Sequence, residues 1–156
     1  MHAIPQLLAS TLLLGGVYAL IAVGLTLIFG VMRIVNFAHG EFLMLGMYLA
    51  FWSFTLLGLD PYVTLVLALP IIFAGGWLSY RLVMRPVINA SHNVQVFTTV
   101  GLSIALQAVA LVLWSPDAQY IRTGYYAVVV RFGGVALNLA QIAAFVVAVL
   151  FTAALF

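Results

Sequence analysis

From Ala3 to Met32 the chain carries no charged side chain, and no other feature narrows its possible folds as far. A helix that crosses roughly 30 Å of hydrocarbon needs about 20 predominantly apolar residues, so this run spans with residues to spare. Lipid offers backbone N–H and C=O groups no partner, which makes a helix the natural form for such a run. A secretory signal peptide is the competing reading. Against it, the opening from Met1 to Gln6 has no Lys or Arg, and the run is far longer than an h-region.

Apolar runs recur over 42–59, 62–84, 94–114 and 139–156. With the first run taken as 4–32, the pattern predicts an all-α, polytopic transmembrane helical bundle of about five spans, a single transmembrane domain over residues 1–156. Gly58, Asp60 and Pro61 close the second run. Pro70 lies inside the third and predicts a kink rather than a stop, since neighbours in a bundle can re-satisfy the freed carbonyl. The polar link from Asn89 to Asn93 leads to the fourth run. Between the fourth and fifth, the stretch from Ala127 to Phe132 and the stretch from Val135 to Leu139 flank Gly133-Gly134. That dipeptide supplies the positive φ angles of a two-residue turn and predicts a small hairpin. The chain is still apolar at Phe156, which predicts that it is part of a longer protein.

Composition removes several functions. Hydrophobic residues make up 67% of the chain and charged ones 5%, against roughly one quarter charged in soluble domains. The bases are Arg33, Arg81, Arg85, Arg122 and Arg131 and the acids Glu41, Asp60 and Asp117, too few and too scattered for a nucleic-acid surface. Lysine is absent, so the chain holds no Walker A phosphate loop. Without cysteine there is no disulfide, thiolate nucleophile or thiolate metal site. His39 and His92 have no metal-ligand spacing to acids and no serine sits in a nucleophile elbow, so no catalytic or metal-binding residue is assigned. Short cytoplasmic loops retain positive charge. Placing Arg33, Arg81 and Arg85 inside sets the N-terminus, the link at Asp60 and the segment 115–138 outside, with Arg122 and Arg131 in mild conflict with the rule.

Helices in lipid meet through small residues and interhelical hydrogen bonds. Ala22, Thr26 and Gly30, Gly46 and Ala50, Gly75 and Ser79, and Gly101 and Ala105 are each spaced by four and predict helix packing. Thr99, Ser103 and Gln107 share one face of the fourth helix; they serve either as interhelical glue or as lining of a translocation path. The interruption from Arg33 to Glu41 is either a plain cytoplasmic turn or a broken element lining a cavity. Within it, Asn36 and His39 are candidates for path or gate. Glu41 either caps the following helix or offers a counter-charge to an ammonium group.

The stretch from Gly16 to Phe42, with Arg33-Ile-Val-Asn36-Phe-Ala-His39-Gly40-Glu41 inside it, resembles the opening of the inner-membrane permease of branched-chain amino acid ABC transporters. Arg85-Pro86 followed by Thr98-Thr99-Val-Gly101-Leu-Ser103-Ile-Ala-Leu-Gln107 is similar to that family's third-to-fourth helix connection. Tyr80 departs from the pattern, which has an acid just before Arg81. The resemblance covers residues 16–107. It implies an ATP-driven importer in the bacterial inner membrane with no cofactor on this chain, since ATP is hydrolysed on partner subunits. The implied partners are a second homologous permease, two cytoplasmic ATPases and a periplasmic substrate-binding protein. Relatives also move urea or short amides, and a passive channel or ion-coupled transporter is the reading from another class.

Overall fold

In the computed structural model, residues 3–125, 127–132 and 134–155 are described. They form α1 (Ala3–Met32), α2 (His39–Leu57), α3 (Pro61–Ser79), α4 (His92–Trp114) and α5 (Leu139–Leu155), with strands β1 (Val129–Phe132) and β2 (Val135–Asn138). Among the described residues, four helices are long and apolar enough to cross a membrane: α1, α2, α4, and α3 taken with its continuation to Val87. The 17 residues of α5 rise about 25 Å. The expected helical bundle with a small hairpin is therefore what the chain forms.

The boundaries differ from those expected where polar residues enter helices. His39, Gly40 and Glu41 are the first turn of α2, not part of a break, and His92 and Asn93 open α4. The third helix passes Pro70 without stopping and runs beyond Ser79 through a π-helical turn, Tyr80–Met84, and a 3-10 turn, Arg85–Val87.

Two compact units divide the chain, Ile28–Ile121 and Met1–Leu27 with Arg122–Phe156. In the first, α2 ends on Gly58 at φ +66, whose amide donates to the Phe54 carbonyl while that of Leu59 donates to Ser53. Such a left-handed cap favours glycine. Asp60 then caps α3, its Oδ1 accepting from the Tyr62 amide at 2.9 Å, and Pro61 takes the first helical position, where its missing N–H costs nothing. In the second unit the strands pair antiparallel with Val129 opposite Asn138 and Phe132 opposite Val135. Gly134 has φ +85, as the hairpin turn requires; Gly133 lies outside the described residues. Asn138 Oδ1 accepts from the Ala140 amide at the start of α5.

Few side chains are buried, and the apolar ones are mostly small: Ala38, Ala68, Ala110 and Ala148, with Ile34 and Met84. Leu12, Phe29, Phe73 and Val112 point outward, as they do where the solvent is lipid. The small-residue spacings are not crossing points among the described residues. A Cβ at Gly30, Gly46, Gly75 or Gly101 would meet no atom within 4 Å. Ala22, Thr26 and Ala105 are exposed and Ala50 is half-buried, and the Thr26 hydroxyl donates to the Ala22 carbonyl of its own helix. The close approach comes instead at Gly16, where a Cβ would overlap the ring of Phe145 on α5.

Candidate functional site

The predicted face of α4 meets the start of α2. Glu41 Oε1 accepts from Ser103 Oγ at 2.8 Å and from Gln107 Nε2 at 2.7 Å, and Gln107 also donates to Ser103 Oγ at 3.3 Å. One turn earlier, Thr99 is 0% exposed, and its Oγ1 reaches the Val35 carbonyl at 3.2 Å as well as Val96 of its own helix. Val35 lies in the non-helical connection between α1 and α2, where Ile34 and Ala38 are also buried. The connection therefore packs against protein on its Ile34 and Ala38 side, while Arg33 and Phe37 remain exposed. Its backbone needs partners that a helix would have provided, and Thr99 supplies one.

Glu41 does not cap α2 by hydrogen bonding. The N-cap residue is Ala38, with no side-chain cap bond, and the Ala38 amide is satisfied by Asn36 Oδ1 at 3.1 Å. A carboxylate in the first turn still complements the positive helix end. Ser103 and Gln107 are both neutral, so the Glu41 charge is stabilised by hydrogen bonds without an arginine in the cluster. Ser103 is half-buried and Gln107 exposed, which brings the cluster to the surface of the chain at its Gln107 end.

Asn36 and His39 are not in that cluster. Both line a cavity of about 380 Å³, together with Ser79, Tyr80 and an otherwise apolar wall that includes Ile34, Phe42 and Ile72. Residues two apart on a helix do not share a face, so α2 directs Glu41 to α4 and His39 into the cavity. Among the described residues, His39 Nε2 is buried without a hydrogen-bond partner. Tyr80 and Met84, at the two ends of the π-helical turn, also line the cavity; such turns recur at functional sites.

Gln95 escaped the sequence reading. It is 9% exposed, and its Nε2 donates to the carbonyls of Ile88 at 2.8 Å, Ala90 at 3.3 Å and Val87 at 3.4 Å. These carbonyls lie in the link that leaves the third helix, where helical partners run out. Its position four residues before Thr99, on the same face, was the available signal.

A family model described as branched-chain amino acid transport system, permease component, matches residues 7–156. The chain is 34% identical over 126 residues to the high-affinity branched-chain amino acid transport system permease protein BraD of Pseudomonas aeruginosa, covering 76% of this chain and 41% of that protein. It is 38% identical over 102 residues to the permease protein LivH of Escherichia coli K12, covering 60% and 33%. A probable permease protein LivH of Methanocaldococcus jannaschii is 30% identical over 104 residues, covering 65% and 32%. The chain thus spans between about a third and two fifths of the length of these relatives. No solved structure matches.

Proposed function

The chain belongs to the branched-chain amino acid transport permease family and is a multi-pass inner-membrane protein, and from that premise we propose that it is part of the membrane-spanning permease of an ATP-driven importer of branched-chain amino acids. ATP binds and is hydrolysed on separate cytoplasmic subunits, a second permease completes the passage, and a periplasmic binding protein delivers the substrate. The observation that carries the reading to particular residues is the Glu41 carboxylate held by Ser103 and Gln107. A charge in a membrane-spanning helix is costly and marks a path or a partner. Held only by neutral donors, it is free to meet the ammonium of a passing amino acid, while the exposed Gln107 end gives access from the chain's surface. Thr99 fixes the connection that aims Glu41.

The test is uptake of radiolabelled leucine in cells lacking the gene, complemented by the full-length gene. Glu41→Gln keeps an acceptor for Ser103 and Gln107 but removes the charge. At matched membrane expression it is expected to lower uptake at least tenfold, corresponding to ~1.4 kcal/mol of lost charge stabilisation. Wild-type uptake is expected to require the neighbouring ATPase. Unchanged uptake on gene deletion sinks the leucine assignment, and urea and short amides are then the substrates to try.

A further inference from the structure

Arg33, Arg81 and Arg85 stand at one end of the unit Ile28–Ile121, where α1 ends and the third helix leaves through its π-helical turn. All three are exposed, carry a permanent charge, and make no ion pair among the described residues. The acids of this unit are engaged elsewhere. Glu41 accepts from Ser103 and Gln107 on α4, Asp60 caps the far end of α3, and Asp117, beyond the far end of α4, accepts from Ser115. Arg33 also has φ +55, a left-handed conformation that glycine adopts freely and an L side chain does not. A strained residue of this kind points to a job for its side chain.

Arg81 lies over the Trp77 ring at 5.2 Å, and Trp77 and Tyr80 are both exposed. Tryptophan and tyrosine gather at the membrane–water boundary, and the positive charge assigns this end to the cytoplasm, where the leaflet carries anionic lipid. The cavity of about 380 Å³ leads away from the same end. Its polar residues Asn36, Ser79 and Tyr80 lie toward the arginines, while Ile28, Phe42, Ile72 and Leu102 lie a turn or more deeper. Along the third helix the wall reaches from Ile72 to Met84, about 18 Å at helical rise and close to half of the ~30 Å hydrocarbon thickness. That is the depth of one acyl chain in one leaflet. Leu43 and Tyr80 are exposed on the wall, so the cavity opens on the surface.

We infer that the cavity and its arginines form a site for an anionic phospholipid of the cytoplasmic leaflet, with one acyl chain along the wall from Tyr80 to Ile72 and the phosphate among Arg33, Arg81 and Arg85. The planar fork of arginine suits phosphate oxygens, and basic pockets between helices on this side of a membrane hold such headgroups. The site rests on the membrane setting alone and stands whether or not the chain carries leucine.

The test uses the full-length protein, with the partner subunits that co-purify, in phosphatidylcholine vesicles. Phosphatidylglycerol bearing a mid-chain diazirine is photo-crosslinked and compared with phosphatidylcholine of the same acyl chains. Label at Phe42, on the cavity wall, is read against label at the outward Phe73, which reports bulk lipid. The phosphatidylglycerol probe is expected to give at least fivefold more label at Phe42 than the phosphatidylcholine probe, with equal label at Phe73. Arg81→Gln is expected to lower the Phe42 signal about fivefold, the ordinary worth of one arginine at an anionic membrane surface. Arg33→Gly should lower it as much while relaxing the backbone, so a folding defect cannot account for the loss. Gly76→Leu keeps every arginine and fills the cavity. Gly76 lines it and a Cβ there would meet nothing within 4 Å, so label at Phe42 should vanish. Equal label from the two probes, or label that persists in Gly76→Leu, overturns the site. Displacement by excess inorganic phosphate would make it a phosphate site instead of a lipid site. Label that appears only after a cytoplasmic subunit is stripped away gives the arginines to that protein partner and overturns the lipid assignment.

Discussion

The units Ile28–Ile121 and Met1–Leu27 with Arg122–Phe156 solve the same problem, holding helices together in a solvent as apolar as leucine, by different means. In the first, side-chain hydrogen bonds join elements far apart in sequence: Thr99 to Val35, and Ser103 and Gln107 to Glu41. In the second, α1 meets α5 through shape, with Gly16 against the Phe145 ring. The difference tracks backbone regularity. Polar side chains gather where the chain leaves helical geometry, at the connection before α2 and the link before α4, because carbonyls there have lost their helical donors. Where α1 and α5 run unbroken, no carbonyl needs rescue, and close packing suffices.

The hardest blow to this comparison falls at Gln95. Gln95→Leu keeps the volume but strips the donor from the carbonyls of Val87, Ile88 and Ala90. The bonds are part-buried and Ile88 is itself exposed, so their joint loss is expected to cost about 1–3 kcal/mol, at roughly 0.5–1.5 kcal/mol for each bond, and the loss should show in unfolding by denaturing detergent. A cost near that of an exposed substitution would mean that water serves the link equally well, and the polar half of the contrast would fall.

Gly16→Ala tests the other half. The new Cβ overlaps Phe145, and overpacking costs about 1–3 kcal/mol. Gly46→Ala, in open space, should instead be neutral or stabilising by up to ~1 kcal/mol through helix propensity. If both alanines behave alike, shape is not what joins α1 to α5. Phe145→Ala should relieve the Gly16→Ala defect, measured as a double-mutant cycle.

Thr99→Val is smaller. It preserves shape while removing the hydroxyl that reaches Val35, and hydrogen bonds between membrane helices average about 0.6 kcal/mol with a maximum near 1.7. The full burial of Thr99 places it in the upper part of that range, read by the same detergent unfolding. A loss confined to leucine uptake, with stability unchanged, would make Thr99 a path residue and not a brace.

These sites were unequally legible in the sequence. The helices could be read because an uncharged run in lipid has essentially one structure. The Thr99, Ser103 and Gln107 face could be read because polar residues spaced by four in an apolar helix need a common explanation. Their partner could not, since pairing Glu41 with Ser103 depends on how α2 and α4 pack, and periodicity does not encode which helix lies opposite. For the same reason His39 and Glu41 were read together as one interruption, although helical geometry turns them to opposite faces. The glycine spacings misled because small residues permit a close crossing without requiring one; Gly16 was indistinguishable in sequence from Gly30 or Gly46 until Phe145 was placed.

The weakest expected effect is at Gln6. Its amide lies against the open edge of β2, with Nε2 donating to the Ala136 carbonyl and Oε1 accepting from the Ala136 amide, both at 2.7 Å. One side chain thereby imitates a neighbouring strand and covers an edge that would otherwise invite pairing. The contact is exposed, so water can replace both bonds, and Gln6→Leu should change global stability by only about 0.5 kcal/mol, the low end for a hydrogen bond. Its effect should be local, with amide exchange at Ala136 accelerated while exchange in the middle of α1 and α5 stays as it was. A global loss as large as that of Gln95→Leu would show that the second unit also depends on polar bonds, and the contrast between the two would have to be redrawn around the hairpin.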